Sequence, residues 1–382
     1  MAAFNAVRRV LFVAVLSMPP ALPADDSIPA AQAPQATVPT LQGGTRAQPL
    51  KSVYPDYPDS AKALGQEGWV VLSFAVKPDG RVADPVVEDS SGLAAFEKAA
   101  LRSIIRQRYE PATWNGKPIE QCAARQRYIF QIRRPGRSDR PIGARSSFIR
   151  EYKAAAELAE ANKADAAEEK LDQLTKGGAW NNYEAARLWL FRASLQALKG
   201  DKQGQLRSLR KALFSGEYSL ESNLYSEALR HEFALQVQMQ RYGDALATYR
   251  KLRDAKKPGD LAPYEKIVAE INALIDGDKP LSATGLIEFR SGCEEGRPNY
   301  QHELLRREFA FDVPKGKASD FELRCDWRRI VDKVDQDRTW KVPDSWGWCQ
   351  LFVFGDTGSE VKIIEYPLDA TQKAKRMEPL KF

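Results

Sequence analysis

The sequence predicts a multidomain α+β protein: a β-β-α-β module, a block of α-helical hairpin repeats and a small C-terminal β-sandwich-like domain. Three observations carry this reading. Between residues 68 and 132, two alternating apolar runs, one amphipathic helix and a closing run follow one another with turn residues between them. Between 146 and 276, leucines ending amphipathic segments recur every 39 residues, at Leu174, Leu213 and Leu252. After Asp276–Pro280, short runs alternate with a period of two. A length of 382 residues accommodates three such units.

The first segment reads as an export signal. Arg8 and Arg9 precede nine apolar-rich residues, Val10 to Met18, and Pro19, Pro20 and Pro23 then end any helix. A spanning helix needs ~20 apolar residues, so residues 1–24 are expected to be a signal peptide and no stable membrane span is expected. The expected location is the periplasm, with an inner-membrane anchor facing the periplasm as the alternative. Residues 25–50 are rich in Ala, Pro, Gln, Thr and Gly, the composition of a flexible linker.

The β-β-α-β module spans 51–133. A short helix is expected at Asp59–Leu64 after Tyr57-Pro58. The strand Trp69–Val76 would turn Val70, Leu72, Phe74 and Val76 inward. Asp79-Gly80 reads as a two-residue hairpin turn, leading into a strand from Arg81 to about Glu88. After Ser90-Ser91-Gly92 comes a helix with the stripe Leu93, Phe96, Ala100, Ile104, joined by Leu101 and Ile105. It ends near Tyr109-Glu110-Pro111-Ala112. Asn115-Gly116 turns the chain towards the closing strand, Arg127–Ile132.

These residues together resemble the C-terminal domain of the TonB energy-transducer family. The resemblance rests on Tyr57-Pro58, Gly68, Asp79-Gly80, Ser90-Ser91, Phe96, Ala99-Ala100, Pro111-Ala112, Asn115-Gly116-Lys117-Pro118 and Phe130. It implies a noncatalytic module that binds an extended segment of a protein partner, such as an outer-membrane receptor, by adding a strand to its sheet edge. The closing strand, with Tyr128, Ile129, Phe130, Gln131 and Ile132, would supply that edge. Tyr57 and Pro58 would flank the docked segment. Arg125 and Arg127 are candidates to hold an acidic partner, against a solvated strand face as the plainer reading. Family members span the inner membrane and cross the periplasm on a Pro-rich segment; in this chain the loose segment is short, and two further domains follow the module.

Residues 134–145 form a linker; counted from Arg133, the stretch holds five Arg, two Pro and two Gly. In the helical block, 146–276, Ala167, Leu206 and Ala245 share the 39-residue period. So do Lys163, Lys202 and Arg241 at the turns. Stacked helical hairpins of this kind bury their apolar faces on one another. The segment 240–252, QRYGDALATYRKL, resembles tetratricopeptide repeats, whose usual period is 34.

The last block, 281–382, places Phe309, Phe311 and Val313 in one run, Phe321, Leu323 and Cys325 in another, then Leu351, Val353, Val361 and Ile363 around Gly355–Gly358. Trp327, Trp340, Trp346 and Trp348 lie within it. They read as core, with a glycan or lipid platform as the alternative. That platform carries the second functional reading, a cell-envelope structural or glycan-binding protein. The cysteines, Cys122, Cys293, Cys325 and Cys349, permit three pairings. Cys325–Cys349 is the expected pair, since both fall in strand-like runs of one small domain.

Nothing in the sequence points to catalysis. His231, expected on the surface of a helical repeat, and His302 are the two histidines, and neither lies in a nucleophile motif. No P-loop, GxSxG, HExxH or GxGxxG pattern occurs. No catalytic residue, metal site or cofactor is expected. A net charge of +6 is too dilute to imply a nucleic-acid partner. The oligomeric state stays open.

Overall fold

The computed structural model describes residues 44–114, 116–132, 143–176, 181–288 and 297–369. The signal peptide 1–24, the linker up to residue 43, most of the 134–145 linker, Asn115, Cys293 and the last thirteen residues lie outside the described residues.

The chain begins with two short strands, β1 (Gly44–Thr45) and β2 (Gln48–Lys51). The first module continues with α1 (Asp59–Ala63), β3 (Gly68–Val76), β4 (Val82–Ser90) and α2 (Ala94–Arg106). It then runs through β5 (Arg108–Glu110), β6 (Ala112–Trp114), β7 (Lys117–Ile119) and β8 (Gln121–Phe130). Its main sheet has the antiparallel order β4-β3-β8. Val70, Leu72, Phe74 and Val76 all point into the core under α2, each at most 1% exposed. Alternation fixes this face because a one-residue slip would turn every apolar side chain outward. Any side chain at Gly68 would collide with Ser91 and Phe96, so the helix can approach β3 only at a glycine.

Several boundaries differ from the expected ones. The end of the linker is paired structure: β1 pairs with β6 and β2 with β5. Strand pairing there supplies the backbone partners that composition does not reveal. The hairpin after β3 has three residues in its turn, since Lys77 N–H donates to Arg81 O and Gly80 N–H to Lys77 O. Gly80 sits at φ +78°, the left-handed residue that closes such a turn. The closing strand starts at Gln121 and stops at Phe130, so Gln131 and Ile132 lie beyond it. Ile105 is 54% exposed and does not belong to the α2 core stripe.

The middle block is helical throughout: α3 (Ser146–Glu160), α4 (Ala164–Lys176), α5 (Asn182–Leu198), α6 (Lys202–Gly216), α7 (Ser222–Gln238), α8 (Tyr242–Arg253) and α9 (Ala262–Asp276). The 39-residue period falls on every second helix. Ala167 in α4, Leu206 in α6 and Ala245 in α8 are all buried. The turns into these helices are built alike. Asn162, Gly200 and Gln240 take positive φ of 56°, 72° and 56°. Each donates to the carbonyl three residues back, while Lys163, Asp201 and Arg241 reach back five residues to Leu158, Gln196 and Gln236. That pair of bonds satisfies the last carbonyls of α3, α5 and α7.

The last block holds β9 (Leu281–Leu286), β10 (Asn299–Glu303), β11 (Glu308–Lys315), β12 (Ala318–Cys325), β13 (Arg329–Lys333), β14 (Thr339–Lys341), β15 (Cys349–Gly355) and β16 (Glu360–Glu365). They form two antiparallel sheets, β10-β15-β12-β13 and β14-β11-β16-β9. Phe309, Phe311, Val361 and Ile363 from one sheet share a core with Phe321, Leu323, Leu351 and Val353 from the other. Cys325 and Cys349 face each other across β12 and β15 and are disulfide-bonded.

Arg306 fixes the helical block to this one. Its buried guanidinium donates to the carbonyls of Leu274, Ile275 and Gly277 at the end of α9, and to Lys279 O and Glu365 O. A cation there meets both the unpaired carbonyls and the negative end of the helix.

Gln240 is an exposed, non-glycine residue in the left-handed region. Left-handed backbone costs ~1–2 kcal/mol for a residue with a Cβ, partly offset by the greater freedom of glycine when unfolded. Gln240→Gly is therefore expected to raise stability by up to about 1 kcal/mol, read as a higher urea midpoint with an unchanged slope.

Candidate functional site

A three-stranded sheet with one helix has two faces, and α2 covers only one. The other carries Trp69, Val71 and Ser73 on β3, with Ile129, Arg127 and Arg125 opposite them on β8. The two following blocks lie on this face. Trp69 is 1% exposed, stacks on Phe214 of α6 at 4.5 Å and donates its indole N–H to Ser215 Oγ at 3.1 Å. Ser73 Oγ accepts a 2.6 Å bond from Arg324 of β12. Glu67 closes the junction: its carboxylate accepts from Ile132 N–H at 2.8 Å and from Asn182 N–H, in the first turn of α5, at 2.9 Å. A carboxylate is favoured at a helix N-terminus.

Arg125 and Arg127 belong to this junction. Arg125 pairs with Glu88 at 3.0 Å, donates to Gln350 of β15 and lies 5.7 Å from the Trp348 ring centroid. Arg127 pairs with Glu217, just past α6, and lies over Phe214. Both arginines reach the chain's own later blocks, Arg127 half-buried and Arg125 still exposed to solvent.

The other candidate residues separate into two groups. Tyr57 turns inward: its ring meets Phe96 and Phe130 edge-on at 5.6 and 5.8 Å, and its hydroxyl donates to Gln66 O. Burial raises that hydroxyl's pKa. Pro58 caps α1, its carbonyl accepting from Lys62 N–H at 2.9 Å. Tyr128 and Phe130 are core, 6% and 2% exposed. Ile129 is half-buried on the outer sheet face. By contrast Arg125, Gln126, Arg127, Gln131 and Ile132 all line one cleft. Val71 of β3 and Glu88 and Asp89 of β4 line it as well, so the cleft runs over the outer face of the sheet and meets the β8 edge at Gln126, whose side chain points to the other face.

The two sheet edges are unequal. β4 carries Pro85 and two register breaks against β3, devices that blunt an edge. β8 pairs only with β3 among the described residues. Its start is met by the C-terminal block, where Cys122 N–H donates to Asp326 O at 3.3 Å. From Arg125 to Arg127, and again at Gln131 and Ile132 past its end, the chain lines the cleft. The opposite wall comes from α6 to α8, with Phe214, Tyr225 and Arg250, and one end is closed by Glu303 and Trp348. The cleft volume is about 2720 Å³, well above the ~300–1,000 Å³ typical of small-molecule sites.

The tryptophans of the last block mostly serve its core. Trp340 stacks on Phe309 and meets Phe321 edge-on, and Trp346 packs against the same cluster. Trp348 differs: it lines the cleft and donates its indole N–H to Glu303 at 2.8 Å. Of the histidines, His231 is half-buried, and burial holds its pKa below the usual value. His302 Nε2 lies 2.9 Å from the buried Glu365 carboxylate. Among the described residues no three His, Cys, Asp or Glu side chains group as metal ligands would.

The comparisons with known proteins concern the first module. Residues 53–132 match the family model described as Gram-negative bacterial TonB protein C-terminal. These residues are a TonB C-terminal-like module. Protein TonB of Escherichia coli strain K12 is 38% identical over 81 residues, 21% of this chain and 31% of that protein. Protein TonB of Pseudomonas aeruginosa is 32% identical over 85 residues, covering 22% of this chain and 25% of that protein. The chain thus spans about a quarter to a third of the length of the curated relatives it matches. Among solved structures, the solution structure of the Pseudomonas aeruginosa TonB C-terminal domain aligns at 29% identity with a TM-score of 0.21, covering 24% of this chain and 90% of that one.

The sequence missed Trp69, Ser73 and Glu67 as junction residues. Trp69 carried a signal: it begins a strand whose inward set is the alternate positions, so a large aromatic there faces outward and needs a cover.

Two outcomes follow. Ser215→Ala leaves the buried Trp69 indole N–H without its acceptor, a loss of about 1–3 kcal/mol, measurable by chemical denaturation. Burial, reinforced by Asp244, raises the pKa of Glu303. A carboxyl group with a raised folded pKa binds its proton more tightly when folded. Its contribution to stability is therefore full below the ordinary glutamate pKa and is lost as pH rises through the folded value. Glu303→Gln keeps an acceptor for Trp348 without the charge. It is expected to be more stable than the parent at pH 7, the gap closing as pH falls to about 4, in paired melting curves.

Proposed function

We propose that this is a noncatalytic cell-envelope protein that binds an extended segment of a protein partner by strand addition to β8, in the service of outer-membrane transport. The observation that carries the reading is the open β8 edge, Arg125 to Phe130, in a TonB C-terminal-like module whose other edge is blunted by Pro85 and two register breaks. Strand addition needs unpaired backbone groups along one edge and room for a chain beside it. The cleft offers that room. The proposed modules are 51–133, 146–276 and 281–382, and the proposed location is the periplasm. Among the described residues no helix is long and apolar enough to cross a membrane. A helical hairpin repeat beside the edge supplies a second wall, and a partner of the outer-membrane receptor class would present its segment between the two.

The test is site-specific photo-crosslinking in the exporting cell, with the full chain carrying the photoreactive residue at Gln126 on β8 or at Val86 on β4. Capture of one envelope protein from position 126, mapped to an extended segment and absent from position 86, is the expected result. Capture from position 86 alone, or from neither, contradicts the proposal.

A further inference from the structure

The cleft's charge distribution names the chemistry of its occupant. Most carboxylates on its lining already have partners. Glu88 and Glu217 pair with Arg125 and Arg127, and Glu232 and Asp244 pair with Arg210 at 3.5 and 2.9 Å. Asp254 pairs with Arg253, and Glu221 accepts a bond from Tyr183. On the wall facing β8 the balance is different. Arg250 and Lys251, in the last turn of α8, and Lys256 just beyond it line the cleft and are exposed. Among the described residues none of the three forms an ion pair with a carboxylate. The negative end of α8 favours Arg250 and Lys251 where they stand; Arg250 also acts on the Glu303 carboxylate across the cleft without a close ion pair. Lys251 also holds its ammonium 5.8 Å from the Phe214 ring centroid, on the wall that covers Trp69.

Taking the strand-addition reading of β8 as its basis, we propose that the cleft selects an extended polypeptide segment rich in Asp and Glu. Its backbone pairs with the β8 edge, and its acidic side chains reach Arg250, Lys251 and Lys256. The arrangement splits the work as peptide grooves do: the edge recognises any extended backbone, and the facing wall recognises side chains. Arg125 and Arg127 do not serve as this wall, since their charges are spent on Glu88 and Glu217. A strand edge offers nothing specific to a phosphate chain, which has no amides to pair.

The test uses the full chain and three labelled peptides of one Thr/Val framework, carrying Glu, Gln or Lys at alternate positions. Fluorescence anisotropy reads affinity, and amide hydrogen exchange over residues 121–132 reads pairing with β8. The acidic peptide should bind about tenfold or more tighter than the basic one at low salt, with the margin shrinking as salt rises. It should slow exchange along β8. Replacing Arg250→Glu, Lys251→Glu and Lys256→Glu together should invert the order, and the Gln replacements should erase it; both sets are exposed changes, checked for an unchanged melting curve. Equal binding of all three peptides with β8 protected overturns the charge selection and leaves strand addition standing. Binding without protection of β8, or no binding, overturns strand addition and this proposal with it. A concentration-dependent dimer that protects β8 and excludes every peptide assigns the edge to a second copy and overturns both.

Discussion

Everything else in this structure depends on the burial of the outer face of the β3–β8 sheet. A sheet this small, backed by one short helix, cannot leave a tryptophan on its bare side exposed without cost; burying a large aromatic removes on the order of 150–250 Å² from water. Trp69 finds its cover in Phe214 and its hydrogen-bond acceptor in Ser215. Once α6 is seated there, the geometry of the remaining junction follows. Arg127 meets Glu217, Ser73 meets Arg324, and Arg125 bridges to Gln350 and Trp348. Arg306 then holds α9 against the last block. The module thus keeps most of its outer face for its own chain, and what remains for binding is the part of that face around Val71 and the β8 edge that line the cleft.

How much of this was legible in the sequence depends on the range of the interactions. Local patterns were: the inward set Val70, Leu72, Phe74, Val76, the periodic Ala167, Leu206, Ala245, and the strands around Phe309, Phe321, Leu351 and Val361 all reflect alternation or helical spacing within one element. The family resemblance added the chain order of the first module. Short strands β1, β2 and β5 to β7 escaped because two to four residues carry no periodicity; they exist only through their pairing partners. The site was less legible. Tyr57, Tyr128 and Phe130 are expected at the partner-binding edge and its flank, yet Tyr57 and Phe130 pack on Phe96 and Tyr128 is buried beside them, which makes them core. Arg125 and Arg127 read as free cations because their partners lie on other elements, Glu88 on β4 and Gln350 on β15 for Arg125 and Glu217, ninety residues on, for Arg127.

The same long-range packing converts a small binding module into part of a larger receptor surface. The cleft has three walls from three blocks of the chain, so its shape depends on how firmly they are joined. The junction mixes apolar burial at Trp69 with partly buried hydrogen bonds accepted by Glu67 and donated by Arg306 and Arg324. Shielded polar contacts are costly to break one partner at a time, which favours a single arrangement of the walls. The β4 edge, with its proline and bulges, keeps strand pairing from occurring on the wrong side of the sheet.

Scanning calorimetry of the full chain beside Trp69→Ala tests whether burial of Trp69 joins the first module to the helical block. In the parent the first module should melt together with the helical block, in one cooperative transition. In the variant a separate, lower transition for the module should split away. A parent in which the module already melts alone, at a temperature that Trp69→Ala leaves unchanged, would contradict that link.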